Sequence, residues 1–165
     1  NREWQKQNGL SLFVCREAVQ ENFLLLMCDH IFDPTILKDM AKQEVLPGET
    51  LLAVDRRVDE VFDLDDATKV WEEGSRIQRI GKQLAEYNAI DCGIFHCSPG
   101  IFSALEAAMV DGDCSLSNGM AILSERGAFK CYDIGDRWWQ DVDTPEMLGE
   151  ATRLLETRPD GLSSE

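Results

Sequence analysis

The stretch Phe23-Leu24-Leu25-Leu26-Met27-Cys28-Asp29-His30 contains the longest apolar run of the chain, and an acidic residue follows it at once. A short continuous apolar run bounded by polar residues predicts a strand that is buried on both faces. Thr50–Val54 has the same character and predicts a second buried strand. Pro34 opens a helical pattern between the two. Such alternation of strands and helices indicates an α/β domain around a mixed, mostly parallel sheet.

The segments on either side continue this alternation. Ala67–Trp71 and Arg76–Ile80 predict a hairpin that turns at Glu73-Gly74, which adds an antiparallel component to the sheet. The Asn8-Gly9 pair predicts a turn before a helix that is capped by Ser11. Further elements are predicted, in chain order, at Ala89–Cys97, from Ser98-Pro99, from Ser115 or Ser117 to about Arg126, at Phe129–Ile134, at Trp138–Val142 and from Pro145.

The composition of the 165-residue chain limits its partners. Its 16 Lys and Arg residues stand against 31 Asp and Glu residues, which gives a net charge of −15. A chain this acidic binds nucleic acid and anionic lipid poorly, so we expect no nucleic acid partner. An anionic substrate would need local cations to offset the field. The 6 cysteines form no C-x-x-C pair and the 2 histidines are isolated, so reduced thiols and a cytoplasmic location are expected rather than a zinc site.

Asp29 is the first candidate for chemistry, because it follows the predicted buried strand directly. Ligands of open α/β sheets bind outside the carboxyl ends of the strands. A hard cation such as Mg²⁺ takes one or two carboxylates together with substrate phosphates, and Asp29 could be such a ligand. The alternative is that Asp29 only caps the following helix, and spacing alone leaves both interpretations open.

Asp141 and Asp143 form the second candidate. Residues two apart on an extended segment point to the same side, so these carboxylates could hold a metal ion together. The alternative is that Asp143 or Thr144 is only the N-cap of the helix that begins near Pro145. One carboxylate could also cap the helix while the other binds metal.

A third group of polar residues surrounds the predicted strand at 89–97. Lys82 follows a strand, where its ammonium could hold a phosphate as a point charge. Asn88 and Asp91 offer amide and carboxylate groups for substrate hydroxyls, and Gly93 allows a close backbone approach. The alternatives are a surface lysine and a turn asparagine. The sequence contains no Ser/His/Asp set and no P-loop, so nothing favours covalent catalysis.

Seven short motifs, taken in order, resemble the nucleotidyltransferases of the sugar-phosphate type, and within them the CTP:inositol-1-phosphate cytidylyltransferases. They span nearly the whole chain, from about residue 8 to 155. The motifs are Met-Cys-Asp-His at 27–30, Ala-Val-Asp-Arg-Arg at 53–57, Asp-Ala-Thr-Lys-Val at 66–70, Ile-Gly-Lys at 80–82, Tyr-Asn-Ala-Ile-Asp-Cys-Gly-Ile-Phe at 87–95, Ser-Leu-Ser-Asn-Gly at 115–119 and Trp-Gln-Asp-Val-Asp-Thr-Pro-Glu at 139–146.

The resemblance implies a Rossmann-like, GT-A-like three-layer sandwich. It also implies transfer of a nucleotidyl group from an NTP, here CTP, to a phosphorylated polyol, here inositol 1-phosphate, with release of pyrophosphate. Mg²⁺ is the implied cofactor. Each site residue that follows is implied by its match to a family motif. The metal ligands are Asp29, Asp141 and Asp143. Asp29 and Asp141 are also catalytic, together with Lys82, which holds the acceptor phosphate. The substrate-binding residues are Asn88 and Asp91 for the acceptor hydroxyls, Asn8, Gly9 and Ser11 for the base and ribose, and His30 and Gly93.

The family pattern also includes an N-terminal strand and a Gly-rich triphosphate loop, which this sequence does not contain. We therefore expect residues 1–157 to be the carboxyl-terminal two-thirds of a nucleotidyltransferase domain, and residues 158–165 to be a tail or linker. Some family members continue into a membrane-embedded phosphatidyltransferase-like domain. Such a fusion, and a second copy of the chain as a homodimer partner, are further expectations.

Two other functions fit the same residues. One is transfer from another NTP or to a sugar or choline phosphate. Choline would need an aromatic cage, of which Trp138 or Trp139 could supply only a part. The other is a non-catalytic module that binds a nucleotide sugar, and the absence of the triphosphate loop favours it for this chain.

Overall fold

The structure, a computed structural model, describes residues 1–157. These residues form five α-helices and eight strands, and the strands make two sheets. The helices are α1 Asn8–Phe13, α2 Pro34–Met40, α3 Ile101–Ala107, α4 Leu116–Glu125 and α5 Pro145–Thr157. The strands are β1 Phe23–Leu26, β2 His30–Phe32, β3 Thr50–Asp55, β4 Lys69–Glu73, β5 Arg76–Gly81, β6 Ala89–Cys97, β7 Phe129–Asp133 and β8 Trp139–Asp141. The predicted tail at 158–165 lies outside the described residues.

The main sheet is mixed, as predicted, with the strand order β1-β6-β3-β7-β5-β4. The prediction of mostly parallel neighbours is wrong, because β3 and β7 form the one parallel pair among the described strands. The reason is the position of β6. It runs antiparallel between β1 and β3, which point in the same direction. The smaller sheet pairs β2 with β8, also antiparallel.

The two strands predicted as buried differ in their surroundings. All six residues of β3 are buried, as predicted. β1 is only partly buried and Leu26 is 41% exposed, so the prediction of a strand covered on both faces is wrong there. Within residues 1–157, β1 pairs with β6 alone and forms an edge of the sheet. An edge strand with a short ladder keeps part of its surface open to solvent.

Side chains that alternate along β3 separate the interior into two clusters. Leu52 and Val54 face a cluster that includes residues of α3 and α4. Leu51 and Ala53 face the other side, where α2 packs. Because residues two apart on a strand share a face, this alternation produces the predicted three layers. The second cluster extends to the smaller sheet and carries the site.

Local signals explain the boundaries of several elements. The hairpin turns at Gly74 and Ser75, one residue later than predicted, and both have the positive φ that a type I′ turn requires. The Ser115 hydroxyl accepts from Asn118 N and caps α4. The predicted turn at Asn8-Gly9 and cap at Ser11 are wrong, because α1 already begins at Asn8. No helix within residues 1–157 combines the length and apolar character needed to cross a membrane.

Candidate functional site

The pairing of β2 with β8 brings the two predicted acidic motifs together. His30 is the direct cross-strand partner of Asp141. One residue earlier, the carbonyl of Asp29 accepts a hydrogen bond of 2.8 Å from the N–H of Val142. The motifs are more than a hundred residues apart in the chain, and this short ladder makes them neighbours.

Both helix-cap alternatives for these carboxylates can be decided from the contacts. Asp33, not Asp29, caps α2, because its carboxylate accepts from Thr35 N at 2.8 Å. At the start of α5, the Thr144 hydroxyl accepts from Met147 N at 3.2 Å. Asp29 and Asp143 are therefore not engaged as caps, and their carboxylates remain available for another role.

The His30 ring occupies the centre of this region. Its Nδ1 lies 2.8 Å from Oδ1 of Asp29. One face stacks on Trp139, with ring centroids 5.8 Å apart and planes at 14°. Gly93 approaches the ring so closely that a Cβ there would lie 2.5 Å from His30 Cδ2. Because Gly93 also has a φ of +70°, glycine is required at this position for both steric and backbone reasons.

Asp91 lies beside Gly93 on β6. Its Oδ1 accepts a 2.7 Å hydrogen bond from Gly93 N. Burial raises the pKa of Asp91 to about 6, although the Gly93 hydrogen bond and the nearby His30 act in the opposite direction. A carboxyl group with such a pKa is half-protonated at about pH 6, well above the ordinary range of an aspartate, and such shifts are concentrated at functional sites.

The charges around Asp141 oppose its ionisation. Burial raises the pKa of Asp141, and the neighbouring carboxylates Asp143 and Asp63 raise it further, while His30 lowers it. The hydrogen bond to Asp66 is the main cause of the raised pKa of the Lys82 ammonium. The carboxylates of Asp143 and Asp141 raise this pKa further, so Lys82 lies near both. Lys82 Nζ contacts both carboxylate oxygens of Asp66 at 2.9 Å.

These residues fit a cation that is shared with substrate, but they do not form an all-protein cage. Within residues 1–157, no group of three or more His, Cys, Asp or Glu side chains has the geometry to hold a metal ion. Mg²⁺ needs only one or two carboxylates when substrate phosphates supply other ligands. The raised pKa of Asp141 indicates a carboxylate that a nearby cation would favour. The three-ligand set of Asp29, Asp141 and Asp143 stays a prediction.

A cavity of about 230 Å³ opens next to Asp141. Trp138 and Trp139 line one side, and residues of α5 line another. Charged groups of both signs line it, and the two arginines among them already bind carboxylates. The charged lining residues are Asp55, Arg57, Glu60, Asp141, Glu150 and Arg153, with ion pairs from Arg57 to Asp55 and from Arg153 to Glu150.

Known proteins similar to this chain point to one group of enzymes. No family model matches the chain. A bifunctional IPC transferase and DIPP synthase of Thermococcus kodakarensis is 36% identical over 157 residues, which are 94% of this chain. The protein of the same name from Aquifex aeolicus is 32% identical over 155 residues, again 94% of the chain. The chain spans about a third of the length of these curated relatives, 34% in both cases.

Solved structures agree with these relatives. The inositol-1-phosphate CTP transferase from T. maritima superposes with a TM-score of 0.82 and 28% identity, over 99% of this chain and 67% of that one. The resemblance to the sugar-phosphate nucleotidyltransferases is confirmed. A putative glucose-1-phosphate thymidylyltransferase from Bacillus anthracis shares the nucleotidyltransferase fold at a TM-score of 0.70, over 90% of this chain and 61% of that one, with 17% identity.

Four predicted site residues make their contacts with other parts of the fold than His30, Asp29 and Asp141. The carboxamide of Asn88 donates to Glu72 O and accepts from Glu72 N, so it is engaged with the hairpin. Asn8 and Gly9 contact the start of α4 through Leu116 N and the Ser115 backbone. The Ser11 hydroxyl accepts from the Asn1 carboxamide. Their substrate contacts stay predictions.

The sequence analysis did not identify one part of this site. The Asp55 carboxylate accepts from Arg57 Nε at 3.0 Å, from Arg57 Nη2 at 2.9 Å and from Trp139 Nε1 at 3.0 Å. Asp55 and Arg57 are in the motif at 53–57, to which no role was assigned. The available signal was the acidic residue at the end of the buried strand β3, in the same kind of position as Asp29 after β1. Trp138 is the buried member of the tryptophan pair.

Proposed function

We propose that this protein is a Mg²⁺-dependent cytidylyltransferase that transfers the cytidylyl group of CTP to inositol 1-phosphate and releases pyrophosphate. The observation that carries the proposal is the β2–β8 ladder, which sets His30 opposite Asp141 and next to Asp29. The names of the curated relatives and of the T. maritima structure support the choice of substrates.

The reaction joins two anions. An oxygen of the inositol phosphate attacks the α-phosphorus of CTP, a new P–O bond forms, and the bond from the α-phosphorus to the bridging oxygen breaks. The electron pair leaves with pyrophosphate. A phosphate monoester is ionised at neutral pH, so no general base is required. When bound, Mg²⁺ supplies positive charge that offsets the repulsion, with Asp29, Asp141 and Asp143 as its proposed ligands.

Lys82 would bind the phosphate of the acceptor. Its raised pKa keeps the ammonium charged throughout the neutral range. In the structure Asp66 already holds this ammonium, and both side chains are about half exposed. An exposed ion pair is weak, so an incoming phosphate dianion can share or replace Asp66. Positioning the attacking phosphate in this way contributes to the rate without any bond to the protein.

Asp91 is the better of the two candidates for the acceptor hydroxyls. Asn88 is engaged with the backbone of Glu72, whereas Asp91 lies at the Gly93–His30 contact near the acidic residues. A carboxyl group with a pKa of about 6 can donate a proton in a hydrogen bond as well as accept one. Both capacities suit a polyol, whose hydroxyls donate and accept.

The proposal has consequences for the whole protein. The curated relatives are named as bifunctional and are about three times as long as the matched region. We propose that the product serves a membrane-embedded phosphatidyltransferase-like partner domain, while the site itself acts from the cytoplasm and binds no nucleic acid. Fractionation of cells that express a tagged full-length protein tests the location.

The experiment measures pyrophosphate release by the full-length protein with Mg²⁺, CTP and inositol 1-phosphate. Omission of each substrate in turn is the control, and release should require both. Parallel reactions replace CTP by other NTPs and the acceptor by glucose 1-phosphate or choline phosphate. Higher release with another pair would correct the substrates, and no release with any pair would support a non-catalytic binding module.

A further inference from the structure

The Asp29 side chain depends on one neighbour for its orientation. Its backbone is fixed by the hydrogen bond from Val142 N. Its carboxylate is 40% exposed, and within residues 1–157 its side-chain hydrogen bond is the 2.8 Å contact with His30 Nδ1. The direction in which Asp29 presents its other oxygen therefore depends on how firmly the His30 ring is held.

Two surfaces hold that ring. Gly93 lies against its edge, with no room for a side chain. Trp139 covers one face in a nearly parallel stack. The His30 side chain is only 15% exposed between them. Removal of either surface would leave the ring free to rotate, because neither the backbone of β2 nor the Asp29 contact alone fixes both of its torsions.

Trp139 is itself fixed to the core of the domain. Its indole N–H donates to Asp55 Oδ2 at 3.0 Å. Asp55 ends the buried strand β3, its side chain is 5% exposed, and Arg57 binds it through the guanidinium and through a backbone N–H at 2.8 Å. The series of contacts from Asp55 through Trp139 and His30 to Asp29 thus connects the main sheet to the acidic site.

We propose that Trp139 is a positioning residue, which orients the His30 ring and through it the carboxylate of Asp29. The inference rests on the proposed function, since only there is Asp29 a group of the transfer site. Trp139 would not touch the reacting atoms. Its contribution is to remove alternative orientations of His30 and Asp29 before substrate binds, which lowers the entropic cost of reaching the reactive arrangement.

The arrangement also determines which His30 nitrogen carries the proton. A carboxylate only accepts hydrogen bonds, so Nδ1 of His30 carries a proton and donates it to Asp29. His96 provides an internal reference, because its Nδ1 donates to the carbonyl of Met40 at 2.9 Å and not to a group of the site. The two histidines are the only ones in the sequence.

The first test is a ¹⁵N–¹H spectrum of the two imidazoles in the full-length protein. In the wild type, both rings should show the Nδ1–H tautomer, and His30 carbon-bound protons should be shifted upfield by the indole ring. In Trp139→Leu, the His30 signals should lose that shift and average between tautomers, while the His96 signals stay in place. This readout does not depend on activity.

The second test is the rate of pyrophosphate release. Trp139→Leu should lower kcat about tenfold and change KM for CTP by less than about twofold, because orientation rather than binding is lost. Trp139→Phe keeps the stack without the N–H and should recover part of the loss. Trp71→Leu is the matched control, since Trp71 also donates to a carboxylate, that of Glu73, which lies next to the turn of the β4–β5 hairpin.

The outcomes separate this inference from the proposed function. Unchanged His30 signals and an unchanged kcat in Trp139→Leu would overturn it, and so would an equal loss in Trp71→Leu. If the wild type itself releases no pyrophosphate, the proposed function fails, but the spectra still decide whether Trp139 orients His30. If Trp139→Leu does not fold, as changed His96 signals would reveal, the same comparison is made with Trp139→Phe.

Discussion

The two sides of the main sheet differ in the polarity of the side chains that cover them. Between the sheet and α3 and α4, the interior is an apolar cluster that contains Leu52, Phe95 and Phe129. On the other side, where the smaller sheet lies, charged and polar groups approach one another at Asp55, His30 and Asp141. The first side is an apolar interior, whereas the second combines an apolar cluster around α2 with charged groups next to the smaller sheet.

This difference separates stability from chemistry. Burial of apolar surface stabilises the fold whatever the detailed geometry, while a carboxylate half-removed from water costs free energy unless it has a partner. The raised pKa values of Asp91 and Asp141 indicate that the second side bears such a cost. Substitutions on the apolar side should therefore change the free energy of unfolding, and substitutions on the charged side should mainly change the transfer rate.

The largest effect is expected from the apolar side. Phe129→Ala removes a fully buried ring on β7 and should lower the free energy of unfolding by about 3–5 kcal/mol. The transfer rate per folded molecule should stay close to that of the wild type, because the ring does not contact the acidic residues. Urea denaturation followed by circular dichroism measures the first quantity. If fully folded Phe129→Ala lost transfer, the apolar side could not be assigned to stability alone.

Asp141→Asn should lower the transfer rate without lowering the free energy of unfolding. Transfer should fall by at least about a hundredfold, since a charge-bearing group at the site is replaced by a neutral one. Stability at neutral pH should stay equal or rise, because burial and two nearby carboxylates already disfavour the Asp141 charge. Pyrophosphate release and urea denaturation of the same samples check both parts. Asp111→Asn, an exposed acid in a turn with a positive φ, is the control and should keep full activity.

Protonation of Asp91 should make the free energy of unfolding depend on pH. Its folded pKa of about 6 lies above the ordinary value of 3.8, so the protonated form favours folding. The wild type should lose more stability than Asp91→Asn as pH rises from about 4 to about 6. At pH 7 the variant should be more stable by roughly 1–2 kcal/mol, while transfer falls. Unfolding curves at several pH values test this, and parallel curves for both proteins would contradict it.

The smallest effect is expected at a helix cap on the apolar side. Ser115→Ala removes the hydroxyl that accepts from Asn118 N at the start of α4. The expected loss is about 1 kcal/mol of unfolding free energy, with no change in transfer. Thermal denaturation provides the measurement. Ser103→Ala, whose hydroxyl lies on the exposed surface of α3, should shift the midpoint less.

The sequence predicted the parts of the fold that depend on local pattern. β3, β6, the hairpin and α2 lie close to their predicted places, since apolar runs and turn residues report local structure directly. The exposure of β1 could not be predicted, because it depends on which strand pairs with each part of β6. That pairing connects residues far apart in the chain.

The candidate site, too, could be predicted only in part from the sequence. Asp29 and Asp141 could be placed at strand ends from the sequence, and the ladder of β2 with β8 then makes them neighbours. The contact of Trp139 with Asp55 could not be predicted, because it depends on which of two adjacent tryptophans turns to the core. The alternation of faces only implies that one of them does.

The most direct test of the account is to measure transfer and stability together in Asp29→Asn, with Phe129→Ala alongside. The full-length proteins are assayed for pyrophosphate release with Mg²⁺, CTP and inositol 1-phosphate at a temperature below both unfolding midpoints. We expect that Asp29→Asn abolishes release without lowering the unfolding midpoint, while Phe129→Ala lowers the midpoint and keeps release. Wild-type release by Asp29→Asn in the presence of both substrates would contradict it.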